Sequence, residues 1–191
     1  MALTTTAPDT RERILRTTLR LIGEQGIGEV SNRAIAAAAQ VSLGSLTYHF
    51  PSQTELLREA LLLYVGEEVA RLQAIAAELR ASEPSAAQVA SEVERIVEGS
   101  TDRVEQVAEL ELHLHASRDP QLHEASERCF AAYEDLAAAV LEALDVPDPA
   151  RHARTVVAVM CGLGLRRLGT GDRAATGTAD ALLTIVRGAA P

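Results

Sequence analysis

Apolar residues recur at helical spacing along almost the whole chain, interrupted by short breaks, and the pattern predicts an all-α protein of about nine helices. Ile14, Leu15, Leu19 and Ile22 form one stripe between Arg13 and a stop at Gly26. Ser31 to Gln40 opens on a good N-cap serine, carries Ile35 as its apolar anchor, and is small-sided from Ala34 to Ala39, so a neighbouring helix can approach closely. Ser42 caps the next run, where Leu46 and Phe50 fall four residues apart and are expected to bury against the preceding helix. After Pro51, Ser52 and Glu55 are spaced as a capping box.

Beyond Leu57 the breaks are weaker. A long helix is expected from Leu57 to about Leu79, ended by Ser82 to Ser85. Further helices are expected over Ala86 to Glu98, Asp102 to Ala116, and Pro120 to Leu144, the last restarted by Asp119 and Pro120. Asp145 to Pro149 is the clearest punctuation, followed by a helix from Ala150 to Leu168, a loop over Gly169 to Asp172, and a last helix near Thr178 to Arg187.

Two stretches stand apart. Glu109 to His115 alternates polar and apolar residues with period two, which is the signature of a strand, but no second strand exists to pair with it. Read as a helix, it has leucines on more than one side and is expected to be buried among other helices. It then pairs Glu109 with His113 and Glu111 with His115 at i, i+4. Helical salt bridges or pocket-lining groups explain these pairs better than a metal site, because no complete ligand set is visible. Val156 to Leu165 is apolar all around, which predicts burial from several sides. A two-fold partner supplies such cover, and Val156, Val159, Met160, Leu163, Leu182 and Ile185 are the expected interface.

The two runs from Ser31 to Phe50 make a helix-turn-helix, in which the first helix braces and the second lies in a DNA major groove. Ser42, Leu43, Gly44 and Ser45 begin the second helix and are expected to choose bases. Asn32, Arg33, Thr47, Tyr48, His49 and Gln53 are expected to position it on the phosphates.

From Thr10 to Leu62, with the Tyr48 to Ser52 block and the Glu55 to Leu57 run that follows, the chain resembles the tetracycline-repressor (TetR) family of transcriptional regulators. The resemblance implies residues 1–56 as a three-helix DNA-binding domain and 57–191 as a helical effector-binding and dimerisation domain, with the last two helices forming a four-helix dimer interface. It implies a homodimer on a palindromic double-stranded operator, released by a small apolar or amphipathic molecule. An effector pocket is expected near Leu61, Tyr64, Leu110, Leu114, Phe130 and Tyr133. Two positions depart from the family pattern: Thr47 stands where an aromatic is common, and Gln53 where a lysine is. The competing reading is a helical small-molecule-binding or enzymatic bundle with a vestigial DNA unit.

Composition narrows the picture further. The net charge of −9 argues against broad electrostatic binding of nucleic acid. Residues 1–55 balance five arginines against five acids, so any contact with DNA must be local. Arg13, Arg16 and Arg20 share the polar face of the first helix, a solvated face from which one or two side chains reach phosphate. No nucleophile with its base, no paired catalytic carboxylates and no phosphate loop is visible, so neither an enzyme nor a bound cofactor is expected. Cys129 and Cys161 lie in apolar helical contexts and are expected to be buried and reduced. No signal segment or membrane-spanning run appears, which fits a cytoplasmic protein.

Overall fold

The computed structural model describes residues 9–82, 84–99 and 103–171, together with Thr184 and Gly188. Among the described residues there are eight α-helices and one short 3-10 turn: α1 (Thr10–Gln25), the turn (Ile27–Glu29), α2 (Asn32–Ala38), α3 (Leu43–His49), α4 (Gln53–Ser82), α5 (Ala86–Gly99), α6 (Arg103–Ala116), α7 (Pro120–Ala143) and α8 (Pro149–Thr170). The ninth helix expected near Thr178 to Arg187 lies outside the described residues, apart from Thr184.

Local chemistry sets most of these boundaries. Gly26 ends α1 at φ +83°, where its N–H reaches the Ile22 carbonyl at 2.8 Å. The Ser31 and Ser42 hydroxyls accept from Ala34 N–H at 3.2 Å and Ser45 N–H at 3.0 Å, starting α2 and α3. Between these helices Gln40 adopts the left-handed region at φ +54°, Gln40 N–H bonds the Ala37 carbonyl, and Val41 N–H bonds the Ala36 carbonyl at 2.9 Å. That paired closure is a Schellman turn. Ser52 accepts from Glu55 N–H at 3.1 Å at the head of α4. Asp119 caps α7 through Gln121 N–H at 3.0 Å, with Pro120 as the first helical residue.

The 30 residues of α4 run without a break from the helix-turn-helix into the remainder of the molecule, a span of roughly 45 Å. Leu56, Leu61 and Val65 share one continuous core with Ile14, Ile22, Ile35, Leu46, Phe50, Leu112 and Leu122. Further along, Leu72, Ile75 and Leu79 pack against Ala132, Leu136 and Ala139 of α7. The other side of α7 carries Ala137, Ala138 and Leu141, which meet Ala153, Val156 and Val157 of α8.

Helix α6 is wedged between α1 and α7. Gly23 of α1 makes the approach possible, since a Cβ there would lie 2.3 Å from the Val104 carbonyl oxygen. Glu111 then closes the same seam by accepting Ile27 N–H at 3.2 Å. The Glu109 to His115 stretch is therefore helical, and the sheet alternative is absent among the described residues.

Three expectations need correction. Leu112 is fully buried, but Leu114 is 64% exposed, so α6 is covered on some sides only. Helix α8 does not end at Leu168; it passes through Gly169 to Thr170 and stops at Gly171, φ +69°. Nor is Val156 to Leu165 buried all round. Val156 and Val157 face α7, whereas Cys161 is exposed and Leu165 is 58% exposed. No helix among the described residues is long and apolar enough to cross a membrane.

Candidate nucleic-acid interface and effector cluster

Helix α3 is amphipathic over only two turns. Leu46 and Phe50 are fully buried beneath it, which turns Leu43, Gly44, Thr47 and Tyr48 outward. Tyr48 is 84% exposed, with its ring meeting His49 edge-on at 5.4 Å, while His49 itself is half-buried. Ser42, exposed, and Ser45, half-buried, complete the start of the helix. The sequence-predicted residues on this helix are thus brought onto one accessible surface.

Their neighbours are placed less uniformly. Arg33 is exposed and forms no ion pair among the described residues. Asn32 is half-buried, and its Oδ1 finds no hydrogen-bond donor among the described residues. Gln53 turns back to donate its side-chain amide to the Val30 carbonyl, tying the head of α4 to the chain before α2. The Thr47 hydroxyl donates into its own helix, to the Leu43 and Gly44 carbonyls at 3.1 Å each, so it does not stand ready as an outward donor.

The arginines of α1 are engaged within the chain rather than extended from it. Arg16 pairs with Glu12 at 2.9 Å and Glu67 at 2.6 Å, and Arg20 pairs with Glu24 at 2.8 Å. Arg13 donates to the Ala39 carbonyl at 3.1 Å. Arg11 pairs with Glu59 at 2.6 Å and sits over the Phe50 ring, 5.3 Å from its centre. Of this face, Arg16 alone meets a carboxylate of α4, Glu67, while Arg20 is held by Glu24 of α1 itself and Arg13 by the Ala39 carbonyl.

A second cluster lies where α4, α6 and α7 meet. Tyr64, Phe130 and Tyr133 are each half-buried there. The Tyr133 hydroxyl donates to Glu68 Oε1 at 2.9 Å. Arg71 also holds Glu68, through contacts of 2.7 and 2.8 Å. From α6, the His113 ring stacks on Phe130 with centres 4.5 Å apart and shares a 2.7 Å hydrogen bond with Ser126. Glu109 Oε1 lies 3.7 Å from His113 Nε2, and Glu111 Oε2 lies 3.7 Å from His115 Nδ1.

Burial, followed by the Glu109 carboxylate, pushes the Tyr64 and Tyr133 hydroxyls above the ordinary phenol value. The same two causes push the Cys129 thiol up to about 12, so it stays protonated. Two predicted lining residues fall elsewhere: Leu61 is sealed in the core below the cluster, and Leu114 points to solvent. Leu110 is half-buried. Glu68 was not expected in this cluster, although it follows Tyr64 by one helical turn and that spacing is visible in the sequence.

Of the expected interface residues, Val156 belongs to the intrachain core, Met160 packs partly against it, and Val159 and Leu163 are half-buried. Leu182 and Ile185 lie outside the described residues. The outward strip of α8 is instead Ala158, Cys161, Gly162 and Leu165. No group of three or more histidine, cysteine or acidic side chains suited to a metal ion occurs among the described residues.

Two family models match the chain. Residues 14–60 match the family described as bacterial regulatory proteins, tetR family, and residues 84–191 match the tetracyclin repressor-like C-terminal domain. A solved TetR-family member of Streptomyces coelicolor A3 is 30% identical, with 93% of this chain and 98% of that chain covered and a TM-score of 0.71. EbrR, described as a multidrug binding protein and solved with ethidium, is also 30% identical, covering 93% of this chain and 98% of that one at a TM-score of 0.68. The HTH-type transcriptional regulator AcrR of Shigella flexneri is 40% identical over 53 residues, 28% of this chain. The chain spans about a quarter of the length of the curated relatives it matches, 26% and 25%.

Proposed function

Because the chain belongs to the TetR family of bacterial transcriptional regulators, we propose that it acts in the cytoplasm as a homodimeric repressor that leaves a palindromic operator when a small molecule binds. On this reading residues 1–56 hold the DNA and residues 57–191 hold the effector and the partner subunit. The observation that carries it is the outward surface of α3, with Tyr48 exposed over a fully buried Leu46 and Phe50. A side chain as large as tyrosine, held out from a rigid two-turn helix, is suited to a phosphate or a base edge. Gly44 and Ser45 present a low surface ahead of it, Leu43 stands exposed at the start of the helix, and Arg33 of α2 supplies a charge with no ion pair among the described residues. Gln53 and Thr47 act as structural ties, so phosphate contacts fall mainly to Tyr48, His49 and Arg33.

A dimer follows from geometry, since one short helix reads few bases and two are needed about 34–36 Å apart. The exposed strip of Ala158, Cys161, Gly162 and Leu165 is the surface proposed for pairing, flanked by Val159 and Leu163. The multidrug-binding EbrR, solved with ethidium, supports a ligand-responsive reading of the chain, and the cluster around Tyr64, Phe130 and Tyr133 is the place proposed for the ligand. Response requires the ligand to bind the operator-competent and released states with different affinity; a coupling of about 1–3 kcal/mol is enough for a several-fold to hundredfold change.

The test is footprinting upstream of this gene and its divergent neighbour, then titration of the complex with a ligand library. Protection of a palindrome that a ligand abolishes is expected; absence of any protected sequence would reject the reading.

A further inference from the structure

Helix α3 carries no side chain that can read a base through paired hydrogen bonds. In a major groove arginine or lysine grips guanine with two bonds, asparagine or glutamine grips adenine, and a carboxylate accepts from cytosine. None of these residue types occurs among Leu43–His49. Gln53 is tied to the Val30 carbonyl, Gln40 stands in the turn before the helix, and Arg33 lies on α2. What α3 turns outward is largely apolar. Leu43, Gly44, Thr47 and Tyr48 are exposed and fall at i, i+1, i+4 and i+5, on one face of the helix. Leu43 is 43% exposed. The Thr47 hydroxyl uses its proton on the Leu43 and Gly44 carbonyls, so toward a partner it offers a methyl group and an oxygen that can only accept.

Gly44 points the same way by a separate route. Its backbone is not left-handed, and a Cβ built there would meet Ser42 Oγ at 3.8 Å, an ordinary contact. Neither the backbone nor the packing of this chain calls for glycine, and glycine weakens a helix relative to alanine. The missing side chain leaves the backbone bare beside Leu43, which lets the edge of a ligand come close. Thymine is the base whose groove edge carries a methyl group, at C5, and apolar side chains recognise it by contact. Hydroxyls such as those of Ser42 and Ser45 bond donors and acceptors alike, so they separate the bases less.

We propose that α3 chooses its operator through the C5-methyl groups of thymine: Leu43 packs on the methyl of one thymine in each half-site, the Thr47 methyl widens that apolar patch, and Gly44 admits the base edge. The proposal rests on the regulator reading above and names the base feature that decides the sequence. Leu43 is then a specificity-determining residue, whereas Tyr48 and His49 hold phosphates whatever the sequence.

The full-length protein is first used to select its operator from a randomised duplex library. Each thymine of the selected half-site is then replaced by uracil, which pairs identically and lacks only the methyl group. Affinities are measured for wild type, Leu43→Ala, Gly44→Ala and Tyr48→Ala, with circular dichroism melting of each to check that the fold is kept. Loss of a methyl buried against leucine corresponds to about fourfold in affinity, and to about fifteenfold when both half-sites are replaced. Wild type is expected to show that loss at one thymine, or at two adjacent ones, in each half-site. At the same position 5-methylcytosine should bind better than cytosine, because it restores the methyl on a different base. Leu43→Ala should bind the thymine and uracil operators nearly equally, whereas Tyr48→Ala should weaken both and keep the difference between them. Gly44→Ala should melt no lower than wild type and yet bind the operator roughly tenfold more weakly, as the loss of one base contact does. Equal wild-type affinity for the thymine and uracil operators, a difference that survives in Leu43→Ala, or wild-type binding by Gly44→Ala would overturn the proposal and leave the regulator reading in place. Failure to select any sequence would overturn both.

Discussion

An alanine at position 23 would place its methyl carbon 2.3 Å from the Val104 carbonyl oxygen and 2.4 Å from Val104 Cγ1. Carbon and carbonyl oxygen come to rest at about 3.3 Å, so α1 and α6 must part by roughly 1 Å to admit it. The obstacle is partly backbone and cannot rotate aside. Judged by helix propensity alone, Gly23→Ala in the interior of α1 should stabilise by about 1 kcal/mol. Overpacking of a closed interface costs about 1–3 kcal/mol, and more where backbone has to move. Because the obstacle is partly backbone, the upper part of that range applies, about 2–3 kcal/mol, and a net loss of about 1–2 kcal/mol is expected. Gly66→Ala is the internal reference, because no atom lies within 4 Å of a Cβ built at that position of α4. It should gain about 0.5–1 kcal/mol from propensity with nothing opposing it. Urea unfolding followed by circular dichroism, at one fixed protein concentration because a dimer is proposed, measures both. If Gly23→Ala proved as stable as wild type while Gly66→Ala gained as expected, the close packing of α1 on α6 would be refuted.

Tyr48→Ala should weaken operator binding across sequences without altering the melting temperature, since the ring is largely exposed; a salt series with unchanged affinity would remove Tyr48 from the contacts. Ser45→Arg should instead change which operator is preferred, and identical selection from a randomised library would contradict its place on the reading surface. Leu165→Glu should give monomers of native helix content in analytical ultracentrifugation, with loss of palindrome protection; a persistent dimer would place the pairing surface elsewhere. Asp119→Ala, which removes both the cap of α7 and the 2.6 Å bond from Arg58, should destabilise by about 1–2 kcal/mol in urea. The Arg58 guanidinium holds the Asp119 carboxyl below its ordinary 3.8, so its contribution is fully present above about pH 4 and is lost as pH falls through the lowered folded value. Asp119→Asn should flatten that part of the acid stability curve, and an unchanged slope would argue against the pairing.

What the sequence by itself determined lies within one or two helical turns. The caps at Ser31 and Ser42, the stop at Gly26, and the burial of Leu46 and Phe50 depend on neighbours three or four residues away, so spacing is enough to read them. The outward surface of α3 was legible for the same reason. Charge partners were legible only where they are local: Glu12 and Glu24 lie one turn from Arg16 and Arg20, whereas Glu59 and Glu67, which hold Arg11 and Arg16, come from α4, 48 and 51 residues further on. The rotational setting of a helix is likewise decided by what packs on it. Val156 turns inward because α7 supplies Ala137 and Leu141, and Leu165 turns outward; nine residues further along the same apolar run, nothing in the residue types distinguishes them. Leu114 is exposed and Leu112 buried on that principle too, although both are leucines in one alternating stretch. Glu109 looked like half of a local pair with His113. Only the packing of α6 against its neighbours left the Glu109 side chain 23% exposed, because burial is a property of the surrounding helices and not of the residue.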